Sequence, residues 1–153
     1  MEGKQKQKFE AFYALIRASS PTYRESDDET FQSFIETTLG AALFYLPQNK
    51  QLHFSGMISK SANELLKVDP LAKVTKDHYY PRKVSARHLL TTDYSLNEVI
   101  QMCNEKYLRY HLVTPKENKL LTPFQTVAKF ESPEKSYKDA NIELVPFTEN
   151  EEN

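Results

Sequence analysis

Lys76-Asp77-His78-Tyr79-Tyr80-Pro81-Arg82-Lys83 is the stretch on which the fold turns. Just ahead of it Val74 and Thr75 are β-branched, Tyr79 and Tyr80 are aromatic, and Pro81 disfavours helix at Tyr80. A strand is therefore expected over residues 71–80, with Asp77-His78 near its end or on the turn beyond. Chemically the pair sets a hard anionic oxygen, of the kind magnesium prefers, beside an imidazole that exchanges protons near pH 7.

Working outward, residues 107–113 form a second strand candidate, followed by Thr114-Pro115-Lys116-Glu117-Asn118. Thr can cap a helix while Pro takes its first position, where a missing N–H costs nothing. Asn118 then falls in the first turn of a helix entered directly from a strand. Pro123 ends or kinks that helix after about two turns. Between the two strands, residues 95–105 read as a helix with Leu96, Val99, Ile100 and Cys103 inward.

Helix-start pairs of Ser or Thr with Glu or Gln three residues on recur at Ser26/Glu29, Ser61/Glu64, Ser95/Glu98, Thr114/Glu117 and Thr122/Gln125, so the chain is expected to be mostly helical. Phe9, Phe12, Tyr13 and Ile16 predict a helix over residues 5–18, ended by Ser20-Pro21. A second is expected over 27–46 with Phe31, Phe34, Ile35, Leu39, Leu43 and Leu46 inward, closed by a turn at Pro47-Gln48-Asn49-Lys50. Residues 51–58 alternate weakly as a strand, and 61–66 form a short helix before Asp69-Pro70. A last helix over 133–140 and an extended segment over 142–147 precede an acidic tail, 148–153, expected to be disordered.

A chain of 153 residues suits one domain with a real core, here residues 1–147. Within it 1–70 would be a helical scaffold, 71–125 the central element and 126–147 a closing helix and extended segment. Cys103 is the only cysteine, which excludes an intrachain disulfide and suits a small buried hydrophobe. The longest apolar run, 39–46, is far short of a bilayer span, and the charged N-terminus lacks the apolar core of a signal peptide, so an intracellular (cytoplasmic) protein without a membrane partner is expected. Net charge is −1, but residues 50–119 are net basic while both flanks are net acidic. The basic excess surrounds Asp77-His78.

Strand, Asp-His, an excursion, a returning strand and a short helix offering Asn: this order resembles the HNH endonucleases, the ββα-metal class that includes nuclease colicins and phage resolvases. The resemblance rests on Asp77, His78, Pro81 and Asn118, with Thr114-Pro115-Lys116 similar to the turn into the metal helix, and covers about residues 71–125. It implies an α+β fold, mostly helical, built around a ββα-metal element with residues 84–106 as a helical insertion. It further implies that Asp77 and Asn118 hold one Mg²⁺ or Mn²⁺ ion and that His78 is the general base for phosphodiester hydrolysis. Arg82, Lys83, Arg87 and Lys116 would contact backbone phosphates of DNA, with RNA as a second possibility. A homodimer is conceivable by the same analogy.

Two other readings stand beside this one. The chain could keep an HNH-like scaffold without cleavage and bind nucleic acid or protein, or it could be a helical interaction protein whose second helix offers an apolar surface. His53 and His88 read as ordinary surface or core histidines. His111, on the returning strand, is either a partner behind the site or solvent-facing. Tyr79 and Tyr80 adjoin the site and are the aromatic residues that stacking would use.

Overall fold

The computed structural model describes Met1 and residues 3–148; the expected tail lies, beyond Thr148, outside the described residues. Along the chain come α1 (Gly3–Glu25), α2 (Glu29–Leu43), β1 (His53–Ser59), α3 (Lys60–Val68), β2 (Thr75–His78), α4 (Arg82–Thr91), α5 (Leu96–Met102), β3 (Arg109–Val113), α6 (Pro115–Leu121), α7 (Pro133–Asp139) and β4 (Leu144–Pro146). The architecture is α+β and mostly helical. Backbone packing divides it into two compact units, Met1–His53 with Tyr80–Leu108, and Phe54–Tyr79 with the chain from Arg109 on. Among the described residues no helix is long and apolar enough to cross a membrane.

In the first unit α1 buries Phe9, Phe12 and Ile16 along one stripe, as their spacing requires. It does not stop at Ser20-Pro21, because Pro21 lies inside it. An interior Pro costs about 3 kcal/mol through its lost donor and its crowding of the preceding turn. Contacts beyond Pro21 offset that cost: Tyr23 is buried and donates its hydroxyl to Glu36 Oε1 at 2.6 Å, and Arg24 Nε donates to the Leu90 carbonyl at 2.7 Å.

The start of α2 is capped by Asp28, which accepts from the N–H groups of Thr30 and Phe31, so Ser26 is not its cap. Leu39, Leu43 and Leu46 point inward as expected, but Phe31 and Phe34 are 37% and 69% exposed. The buried face is set instead by Gly40, where an added Cβ would stand 3.2 Å from the backbone of Arg82 on α4. That close approach rolls Glu36 inward and the two phenylalanines outward. Glu36 is satisfied there by Tyr23 and by Arg87, whose guanidinium reaches Oε1 at 2.9 Å.

Residues 84–106 are mostly helical, through α4, α5 and a π-type turn over Cys103–Tyr107, with a non-helical break at 92–95. All of them belong to the first unit, where Leu89, Leu90, Val99, Cys103 and Tyr107 join the helical core. The Ser95/Glu98 and Thr114/Glu117 pairs form complete capping boxes. Ser61 does not cap α3; Ser59 does, two residues earlier, accepting from the Ala62 N–H. Thr122-Pro123-Phe124 tightens into a 3-10 turn, with Gln125 closing it.

The second unit holds a four-stranded sheet in the order β2-β3-β1-β4. β2 pairs antiparallel with β3, setting Asp77 opposite His111 and His78 opposite Tyr110, and β1 pairs antiparallel with β4 through Ile58 and Val145. A single residue, Thr114, separates β3 from α6. Val113, Leu121, Tyr137 and Ile142 form this unit's apolar cluster, which draws α6 and α7 to the sheet.

Candidate functional site

Alternation along paired strands sends successive side chains to opposite faces, and it sorts the site of the second unit. Asp77 and its partner His111 share one face; His78, its partner Tyr110 and Lys76 share the other. Asp77 is 5% exposed and His78 half-buried.

On the inner face Asp77 is held by two side chains from distant points in the sequence. Tyr137, on α7, donates to Oδ2 at 2.5 Å; Gln125 Nε2 donates to Oδ1 at 2.9 Å and to Oδ2 at 3.1 Å. Burial raises the Asp77 pKa, and these two donors pull it partly back. His111 lies alongside, its Nδ1 2.6 Å from Ser55 Oγ, its ring met edge-on by Tyr79 at 5.0 Å and by Tyr137 at 5.4 Å. Its Nε2 is buried with no hydrogen-bond partner among the described residues, and burial lowers its pKa to about 4, with Glu134 opposing in part. At neutral pH this imidazole is uncharged. His111 is thus a buried neighbour of Asp77 and not a solvent-facing residue.

Helix α6 carries Asn118 in its first turn and contacts β2, so Asp77, His78 and Asn118 sit on touching elements. What fixes this helix is Glu117, buried, with Oε2 accepting both from Ser59 Oγ at 2.5 Å and from the Thr114 N–H at 2.9 Å. Lys116, on the same turn, is exposed. Arg82, Lys83 and Arg87 are on α4 in the first unit. There Lys83 Nζ donates to Ser33 Oγ at 2.8 Å and Arg87 is bound to Glu36, while Arg82 is exposed.

The outer face has a chemistry of its own. Lys76 Nζ stands 4.8 Å over the Tyr110 ring, Phe54 packs against Tyr110 at 5.5 Å, and Phe147 meets Phe54 edge-on at 5.9 Å. His78 shares this face by register. Of the two tyrosines singled out beside the motif, Tyr79 donates to Glu134 at 3.3 Å, and Tyr80 packs with His88 and Tyr107 in the first unit.

As donors, the Asp77 carboxylate and the Asn118 amide suit a hard divalent cation. Among the described residues no group of three or more His, Cys, Asp or Glu is placed to hold one. Oδ2 of Asp77 accepts from both Tyr137 and Gln125 while Oδ1 accepts from Gln125 alone, so a cation there takes the remaining position on Oδ1 or displaces one of these donors. Nothing in the sequence ties Tyr137 or Gln125 to Asp77, or Ser55 to His111: these contacts arise only through tertiary packing. The chain matches no protein-family profile, no curated protein and no solved structure.

Proposed function

We propose that this protein is an HNH-type endonuclease that hydrolyses DNA phosphodiesters with His78 as general base, Asp77 and Asn118 as metal ligands, and Mg²⁺ or Mn²⁺ as cofactor. One observation carries the reading: β2, ending in Asp77-His78, pairs antiparallel with β3, which passes through Thr114 alone into α6, with Asn118 in its first turn. This order of elements supports the reading, because an HNH-like site needs two antiparallel strands followed by a helix that offers a ligand. Strand alternation turns Asp77 and His78 to opposite faces, so one phosphate meets both only around the end of β2, where His78 is the last residue.

In this reading a neutral His78 takes the proton of the attacking water, whose oxygen bonds to phosphorus as the ester oxygen leaves. A bound divalent cation supplies charge stabilisation at the phosphate and the departing oxygen. Lys116 and Arg82, both exposed, contact backbone phosphates without reading sequence. Lys83 and Arg87 are already bonded to Ser33 and Glu36, so only their remaining N–H groups are open to a phosphate.

A second reading, a binding module that does not cleave, is favoured by the hold of Tyr137 and Gln125 on Asp77. Cleavage of supercoiled plasmid in Mg²⁺, Mn²⁺ or EDTA separates the two, with His78→Ala purified identically. Metal-dependent cutting lost in the variant is the expected result. Salt-dependent DNA binding without cutting in either metal leaves the binding module; no binding at all removes both.

A further inference from the structure

The first unit carries a cavity of about 250 Å³ between α1 and the segment that joins α4 to α5. Ile16, Leu89 and Val99 form its buried floor, while Arg17, Arg24 and Asp93 form its exposed rim. Polar groups beside the floor are already satisfied. Ser20 Oγ donates to the Ile16 carbonyl at 2.8 Å, and the Tyr94 carbonyl accepts from the Tyr13 hydroxyl at 3.1 Å. What the floor offers a ligand is therefore apolar contact.

The two arginines of the rim lie seven residues apart, on one side of α1, with Pro21 between them adding the apolar surface of its ring to the wall. They are not equivalent. Arg24 is committed, its Nε donating to the Leu90 carbonyl at 2.7 Å and its Nη2 to Asp93 Oδ1 at 3.0 Å, so the Asp93 carboxylate matches its charge. Arg17 is exposed and bonds to no other group among the described residues. The rim thus holds one uncommitted positive charge, carried by a planar fork of N–H donors whose geometry matches a carboxylate.

Volume and charge together define the ligand. A space of 250 Å³ equals the liquid volume of about eight waters, which suits one six-membered ring or a chain of about six carbons. One negative charge meets Arg17; a second would meet the repulsion of Asp93. We propose that this cavity binds a small organic monocarboxylate, with its ring or short chain on Ile16, Leu89 and Val99 and its carboxylate on Arg17. Every residue of the site belongs to the first unit, so the proposal is independent of the nuclease reading of Asp77-His78.

Benzoate and hexanoate are the probes, titrated into the isotope-labelled full chain and followed by the amide resonances of Ile16, Leu89 and Val99. Benzoate should bind with a Kd of about 1 mM or below. Benzyl alcohol, which keeps the ring and lacks the charge, should bind at least about tenfold more weakly. Arg17→Gln should weaken benzoate about tenfold and leave the unfolding temperature unchanged, since this guanidinium holds nothing in the fold. Thr92→Trp, an exposed rim position, should fill the cavity and abolish the benzoate shifts while the rest of the spectrum is preserved. Absence of shifts in wild type up to about 20 mM of both probes, equal affinity for benzoate and benzyl alcohol, or binding untouched by Arg17→Gln or by Thr92→Trp each overturns the proposal.

Discussion

Tyr137 places its phenolic hydroxyl 2.5 Å from Oδ2 of Asp77, sixty residues away along the chain, in a contact where both partners are almost fully buried. A carboxylate removed from water is destabilised in its charged form, and the Tyr137 and Gln125 donors are what keep this one satisfied. The same burial, with the Asp77 charge beside it, raises the Tyr137 pKa, so the phenol stays a donor throughout the physiological range. Asp77 is therefore both the residue a cation would need and a structural acceptor at the junction of β2 and α7.

Tyr137→Phe separates these two roles. Loss of one donor to a buried carboxylate should cost roughly 1–3 kcal/mol, read from urea unfolding at pH 7. If Asp77 is a metal ligand, the vacated oxygen should also bind Mn²⁺ more tightly, seen by titration calorimetry or by the loss of free-ion paramagnetic signal. Equal Mn²⁺ affinity in wild type, Tyr137→Phe and Asp77→Ala would remove Asp77 from the metal site.

His111 predicts a stability that falls in acid. Its folded pKa is depressed to about 4, so the neutral ring contributes stability that is complete above its ordinary value of 6.5 and is lost as pH drops through 4. The shift corresponds to roughly 3 kcal/mol across that window. Asp77, with its pKa raised, works in the opposite sense, favouring the folded state as it takes up a proton. Denaturant midpoints at pH 7, 5.5 and 4.5 should decline for wild type and flatten in His111→Phe; an unchanged slope in the variant would assign the acid sensitivity elsewhere.

The local signals in this sequence were legible where the residues concerned act on their own backbone. Thr114-Pro115 and Ser95 start helices because a cap and a fixed φ are properties of one turn, and both boxes close as the spacing demands. Pro21 and the aromatic pair Phe31 and Phe34 were misread because what decides them lies far off: the anchors of Tyr23 and Arg24 carry α1 through the proline, and the backbone of Arg82 against Gly40 chooses the inward face of α2. In the candidate site, Asp77, His78 and Asn118 are proposed from pattern alone. Gln125 and Tyr137 could not be, since a side chain that bonds across 48 or 60 positions leaves no periodicity to read.

Glu117 should prove costly to remove although it touches no proposed substrate. Its Oε2 serves the buried Ser59 hydroxyl and the Thr114 N–H together, and Ser59 in turn caps α3. Glu117→Ala strands both donors and should cost roughly 2–4 kcal/mol in thermal or denaturant unfolding. Glu117→Gln, which keeps one acceptor oxygen, should lose less than half as much. If the alanine variant unfolds like wild type, α6 is held by its Leu121 packing and not by this carboxylate.

Lys116 and Arg87 should respond in opposite ways to the same truncation, because one is free on the surface of α6 and the other is tied to a buried acid. Lys116→Ala should leave stability within about 0.5 kcal/mol of wild type and, if it contacts a phosphate, lower the slope of log Kd against log salt by about one. Arg87→Ala instead abandons Glu36, which is 1% exposed and would keep only the Tyr23 hydroxyl as a partner. A cost of about 3 kcal/mol is expected from that uncompensated charge, discounted toward 2 because the guanidinium is 43% exposed. Any loss of DNA affinity in Arg87→Ala therefore has to be read beside its unfolding curve. Repeating the binding assay in Glu36→Gln/Arg87→Ala, where the buried charge is gone, isolates the contribution of the guanidinium: affinity restored to wild type would make Arg87 a structural residue, and affinity still reduced would keep it at the nucleic-acid surface.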